Sequence, residues 1–202
     1  MKTYSTLADK ELVRMYTEGN DNAFDVLLSR HQEKLFNYIF FLVRDEDKAN
    51  DVFQDTFVRA ITALRTHNYE ETGSFGSWLM RISRNLVLDV HRRTKAMPTI
   101  SHELVDDSGE LKGDLFNDAR FCEPTVEESI FGRESLEYLR TMVDMLPDSQ
   151  REIVYLRYYR DMPFKDIANI LGVSINTALG RVRYAILNLR KMVNEHNLSL
   201  VG

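Results

Sequence analysis

The sequence predicts an all-α protein made of two small helical domains joined by an acidic linker. Three observations predict it. Apolar residues recur in steps of three and four through most of the chain, the period of helices that bury one face. Only 4 prolines and 9 glycines occur among 202 residues, too few for the many turns of an all-β chain. Between 97 and 124 the periodicity stops, and Pro98, Ser101, Asp106, Asp107, Ser108, Gly109, Gly113 and Pro124 collect, the composition of a connecting segment. The expected boundaries are a first domain at 1–95, a linker at 96–124 and a second domain at 125–195.

The elements follow in order. Leu7 to Glu18 reads as a short helix ended by Gly19-Asn20, a C-cap signature. Asp21 is placed to cap the next helix, whose stripe is Phe24, Leu27, Leu28, His31, Leu35, Tyr38, Ile39 and Leu42. His31 on that stripe reads as a packed, half-buried histidine. Asp45 caps a third helix to about Leu64, with Ala49, Val52, Phe53, Phe57, Ala60, Ile61 and Leu64 on its apolar face. Its other face shows Asp47, Asp51, Gln54, Asp55 and Arg59. Acids in first turns suit the helix dipole; the functional alternative is a docking face for a partner protein.

After a loop at 65–73, Ser74 caps a fourth helix to about Arg93, with Phe75, Trp78, Leu79, Ile82, Leu86 and Val90 on the buried side. Cations at its C-terminus, among them Arg92 and Arg93, also suit the dipole. Joined to Tyr69, Phe75 and Trp78 they equally make the mixture of cations and rings that single-stranded nucleic acid requires.

The second domain begins with a helix carrying Ile130, Leu136, Leu139, Met142, Val143 and Leu146. Another starts at Pro147-Asp148 with Ile153, Val154, Leu156 and Tyr158. Phe164, Ile167, Ala168, Ile170 and Leu171 then give one apolar face, Gly172-Val173 breaks it, and Ser174 caps a last helix. There Ala178, Val182, Ala185 and Leu189 face inward. Asn176, Thr177, Arg181, Arg183 and Tyr184 face outward. This is a helix-turn-helix layout, whose second helix can enter a DNA major groove, or else an ordinary α-hairpin with a solvated basic face.

Charge sharpens the choice. The net charge is −5, unhelpful for a polyanion ligand, but it is unevenly spread. Residues 95–133 hold 4 basic and 9 acidic side chains, a local −5. Residues 151–191 hold 8 basic and 3 acidic, a local +5, and 79–95 hold 5 basic and 1 acidic. Two basic regions therefore flank one acidic segment, and local potential decides where nucleic acid docks.

Other classes find no support. The sequence lacks a Walker A loop, G-x-G-x-x-G, H-E-x-x-H and G-x-S-x-G, so neither an enzyme nor a bound cofactor is expected. The five histidines are scattered, and the string DDSGELKGD lacks the spacing and closing glutamate of a calcium loop, so no metal is expected. Cys122 is the lone cysteine and reads as an incidental linker thiol in a reducing compartment. The start MKTYSTLADKELV has no apolar signal core, and the run Tyr38 to Val43 is too short to span a bilayer. The expectation is a cytoplasmic protein without membrane insertion.

Two blocks carry a family likeness. DVFQDTFVRAITAL (51–64) and FGSWLMRISRNLVLDVHRR (75–93) resemble region 2 of bacterial extracytoplasmic-function sigma factors of the sigma-70 family. The stretch LPDSQREIVYLRYYRDMPFKDIANILGVSINTALGRVR resembles region 4 of the same family. The resemblance implies a promoter-specificity subunit that binds the RNA polymerase core, through its β and β′ subunits, and directs initiation at promoters with minus-35 and minus-10 elements. On matching positions it places Asp51, Gln54, Asp55 and Phe57 at the core contact. Asn85, Asp89, Arg92, Arg93 and Tyr69 fall at the minus-10 element, with the loop 67–74 forming part of a pocket for a flipped-out base. Trp78 matches a family tryptophan, with core packing and base stacking both open. Asn176, Thr177, Arg181, Arg183 and Tyr184 fall at the minus-35 element.

The chain departs from the family pattern at Leu179, where a lysine or arginine is usual, at Gly180, where serine is usual, and at Tyr184, where arginine is usual. The acidic linker is either a solvated spacer or a mimic of nucleic acid in the polymerase's basic channel. An anti-sigma factor is a further partner that the resemblance suggests. The competing readings are a stand-alone helix-turn-helix transcriptional regulator and a helical adaptor that binds polymerase without DNA.

Overall fold

The computed structural model describes residues 4–66, 69, 74–96 and 133–195. The acidic segment with Cys122, most of the loop before Ser74, Ile130 and the tail after 195 lie outside them, as do the side chains of Arg93 and Leu136. The described residues are helical, with no strand among them. They fall into two compact units, one mainly the described residues up to 96 and the other those of 133–168 and 173–195.

The first unit opens with a 3-10 turn, Tyr4–Thr6, ahead of α1 (Asp9–Thr17). Glu11 accepts from the Ala8 N–H at 3.0 Å and closes the start of α1. Gly19 ends it at φ 99°, the left-handed region where a side chain is costly, and the Asn20 N–H reaches back to the Met15 carbonyl at 2.9 Å. Because that turn feeds the chain directly into α2 (Asp21–Val43), Asn20 holds the N-cap position and Asp21 is the first helical residue. The expectation that Asp21 caps α2 is thus corrected by one residue.

α3 (Glu46–Arg65) starts as the sequence indicates: the Asp45 carboxylate accepts from the Lys48 N–H at 3.0 Å. That backbone bond, then the Lys48 ammonium, hold the Asp45 carboxyl below its usual range. α4 (Phe75–Ala96) starts at Ser74, whose hydroxyl accepts from the Ser77 N–H at 3.1 Å.

α2 packs against α1, α3 and α4, and α3 packs along α4. Leu12, Leu27, Leu35, Tyr38, Ile39, Ala60, Leu64 and Leu79 are fully buried between them, a continuous apolar core that drives the bundle together. Aromatic rings lock α1, α2 and α3: Phe24 lies 5.0 Å from Tyr16 and 6.2 Å from Phe57.

The register of α4 differs from its sequence pattern. Phe75, Leu79 and Leu86 are buried as expected, but Ile82 is only half-buried and Val90 is 46% exposed. Met80, Ser83 and Val87 are buried instead. Periodicity marks a face, not how closely each turn is packed, and among the α4 residues whose side chains are described Val87 is the last that is buried.

The second unit holds α5 (Arg133–Asp144), α6 (Asp148–Val154), α7 (Phe164–Leu171) and α8 (Ile175–Glu195). α8 packs on α5 and α6, where the Asn188 amide donates to Gln150 at 2.8 Å. α6 continues into a π-helical turn, Tyr155–Tyr159, closed by the Arg160 N–H on the Tyr155 carbonyl at 3.1 Å. A π turn holds an extra residue, so the side-chain phase slips by about 100° relative to an α-helix. Tyr155 at the head of that turn is buried, and Tyr158 within it, expected on the inner side, is 60% exposed. Burial pushes the Tyr155 hydroxyl up to about 12, against the opposing charge of Arg160.

Candidate polymerase and DNA interfaces

Asp47, Asp51, Gln54, Asp55 and Arg59 on α3 are all exposed, and spacings of three and four align Asp51, Gln54 and Asp55 along one face. Phe57 differs from these neighbours. It is 8% exposed, and its ring meets Phe53 at 5.0 Å and Phe24 at 6.2 Å. Phe57 braces α3 from inside rather than presenting a surface. The apolar member of the exposed face is Val58, 62% exposed. Sequence reading missed it, although its place seven residues after Asp51 and four after Gln54 puts it on their side of the helix.

On α4, Asn85 and Arg92 are exposed and Asp89 is half-buried. With Arg81 they follow steps of four, four and three, one continuous face. Arg92 pairs with Asp89 at 3.5 Å, an exposed pair worth little to stability and easily exchanged for a phosphate. Arg93 lies on the same helix, its side chain outside the described residues.

The N-terminus of α4 carries an aromatic cluster. Trp78 is half-buried, with Tyr69 edge-on at 4.7 Å and Phe75 at 5.6 Å. Its ring is neither sealed in the core nor free in solvent. Phase explains this: Phe75 and Leu79 point inward, and Trp78 sits on the flank between them and the solvent face.

Behind Phe75 stands His31, ring to ring at 5.4 Å. Its Nε2–H donates to Asp9 at 2.7 Å, while Arg30 donates to the other carboxylate oxygen at 2.8 Å. His31 is therefore the packed, half-buried side chain the stripe implies, and it ties α1 to α2 behind the cluster. Gly76 lets α4 approach closely there: a Cβ would stand 3.0 Å from the His31 ring, which would have to give by a few tenths of an ångström.

Gly172 turns the chain at φ 66° between α7 and α8. Ser174 caps α8, accepting from the Thr177 N–H at 3.1 Å, and its hydroxyl meets the Thr177 hydroxyl at 2.8 Å. The cap therefore also orients one candidate contact residue. Ser174→Ala is expected to remove about 1 kcal/mol from this helix start. Amide hydrogen exchange over 175–178 should then quicken about fivefold, and unchanged exchange would refute the capping role.

Ala178, Val182 and Ala185 are buried, and Asn176, Thr177, Arg183 and Tyr184 are exposed, with Arg181 half-buried. Leu189, expected inward, is half-buried, so the inner face of α8 is fully covered only from Ala178 to Ala185. The local +5 is only partly on offer. Arg151 donates to the Asp144 carbonyl at 3.0 Å. Arg157 donates to Asp161 at 3.1 Å and to the Met162 carbonyl at 3.2 Å, with its guanidinium 5.6 Å from the Phe164 ring. These two cations hold the unit together, and the exposed arginine among the outward candidates of α8 is Arg183.

Among the described residues no three histidine, cysteine or acidic side chains converge as metal ligands, and no helix is long and apolar enough to cross a membrane.

Comparison with known proteins gives the arrangement a family. Residues 27–97 match Sigma-70 region 2 and residues 136–183 match Sigma-70, region 4, together more than half of the chain. The chain is similar to RNA polymerase sigma factor CnrH of Cupriavidus metallidurans, 29% identical over 188 residues, 93% of this chain and 95% of that one. It is similar also to RNA polymerase sigma-H factor of Pseudomonas aeruginosa, 26% identical over 175 residues, 86% of this chain and 88% of that one. The fold matches the solved structure of CnrH in complex with the cytosolic domain of CnrY, with a TM-score of 0.61 at 24% identity, covering 94% of this chain and 99% of that one. With both sigma regions present in order on one chain whose described residues are helical, the protein is a member of the sigma-70 family, of the extracytoplasmic-function type.

Proposed function

We propose that this chain is a promoter-specificity subunit: it binds the RNA polymerase core and directs initiation of DNA-templated transcription. The observation that carries the reading is the presence of regions 2 and 4 in one chain. The exposed face of α3, with Asp51, Gln54, Asp55 and Val58, then serves as the core-docking surface. The face of α4 with Asn85, Asp89 and Arg92, joined by Arg93 and the ring of Tyr69, meets the minus-10 element as its strands part. The outward side of α8, with Asn176, Thr177, Arg181, Arg183 and Tyr184, enters the minus-35 duplex. Domains at 1–95 and 125–195 divide these tasks across the acidic linker at 96–124.

Two modest DNA contacts held on one polymerase act through effective concentration, so neither unit needs to hold a promoter alone. The protein works as a DNA-binding subunit rather than an enzyme, in the cytoplasm where the polymerase is. An anti-sigma factor that covered the α3 face would silence it. A stand-alone regulator would have no use for the α3 and α4 faces, which is why that alternative is set aside.

Reconstitution with sigma-free polymerase core and a promoter library tests the reading. Initiation at a shared two-part sequence is expected; absence of any sequence-defined start would overturn it. In that assay Arg181→Ala and Arg183→Ala should each cost about 1–3 kcal/mol of promoter recognition if they contact bases, and wild-type initiation by both variants would remove α8 from the account.

A further inference from the structure

The outward arc of α8 is unusually apolar for a surface that meets DNA. Ile175 is 47% exposed, Leu179 45% and Tyr184 64%. Between them Gly180 has nothing within 4 Å of where a Cβ would stand, so no internal contact requires a glycine there. Arg183, on the same arc, is exposed. A face that only gripped phosphate would be lined with cations and hydroxyls. In the major groove, the C5 methyl of thymine is the one apolar group that a base pair presents. Apolar side chains set beside an arginine on a groove-reading helix therefore have one base to read.

We propose that Leu179 and Tyr184 read thymine methyl groups, making thymine the specified base at two positions of the minus-35 element. This rests on the sigma-factor reading above. Five residues of helix turn about 140° and rise about 7.5 Å, so the two side chains stand on opposite flanks of the outward arc and meet thymines on different base pairs. Gly180 leaves the helix surface low between the two side chains, so the edge of the groove can approach the backbone. Arg183 supplies the phosphate or guanine bond that fixes the register.

The test uses the full chain with polymerase core on a promoter selected from a library randomised at the minus-35 element. Thymine should be selected at two positions. Replacing either thymine by deoxyuridine removes only the methyl and should lower open-complex formation about fourfold, the effect of one buried methyl. Leu179→Ala should abolish the uracil penalty at one position and Tyr184→Ala at the other, while Arg183→Ala keeps both penalties. Free choice of base at these positions, or a wild-type holoenzyme indifferent to uracil, would overturn the proposal while leaving the sigma reading intact. If Leu179→Ala and Tyr184→Ala instead weakened assembly with the core in the absence of DNA, the patch would serve a protein partner and the proposal would likewise fall. Failure to initiate anywhere would strike the sigma reading itself.

Discussion

The double variant Asp51→Lys, Asp55→Lys is expected to fold normally and to lose the polymerase core. Both carboxylates are exposed on one face of α3, so reversing them disturbs no buried contact, and surface changes of this kind usually stay within about 0.5 kcal/mol of stability. At an interface the same reversal sets like charges against the partner, which costs several kcal/mol. A loss of 3 kcal/mol would be roughly a hundredfold in Kd. Core binding by the full chain and thermal unfolding should be measured together. Lost binding with an unchanged midpoint supports α3 as the docking face, and wild-type affinity would move the docking surface elsewhere. Val58→Asp adds a second readout at the apolar centre of the same face, expected to weaken core binding without unfolding the bundle. Phe57→Ala should behave differently. Its ring is buried against Phe24 and Phe53, so it should lower stability before it affects binding.

The second large effect concerns the register of α4. Leu79 is fully buried and Val90 is 46% exposed, although the sequence pattern sets both on the inner side. Leu79→Ala should therefore cost about 2–5 kcal/mol through the lost burial and the cavity left behind, a large share of the 5–15 kcal/mol typical of a domain. Val90→Ala should stay within about 0.5 kcal/mol. Trp78 is the single tryptophan and sits on α4, so its fluorescence reports this unit. Equal midpoints for the two variants would show that the burial assigned to α4 is wrong.

Much of the fold was legible in the sequence because its signals are local. The caps Asp45, Ser74 and Ser174 each bond an N–H three residues on, and a residue's own side chain sets that geometry. Gly19 and Gly172 sit at positive φ, where their lack of a Cβ matters whatever surrounds them. The stripes of α2 and α3 follow the 3.6-residue period, which is a property of the backbone. The acidic face of α3 and the outward set on α8 were legible for the same reason, since polar residues on a helix fall where its buried face does not.

What failed depended on neighbours or on backbone details that no local pattern records. The π turn after α6 moved Tyr158 to the surface, because one extra residue per turn shifts every later side chain. Val90 continues the stripe of α4 yet is 46% exposed. Resemblance sets Phe57 on the docking face, but its packing on Phe24 and Phe53 shows that it is core, with Val58 beside it at the surface. Arg151 and Arg157 count toward the +5 of the second unit, yet both are spent on carbonyls and carboxylates within it.

By itself the sequence determined the helices, their caps, the two basic regions and the family, since each is written in residue type and spacing. Tertiary structure decided which members of each pattern are exposed and able to meet a partner. The physical reason is that burial and ion pairing are properties of what packs against a residue, and those neighbours come from distant parts of the chain.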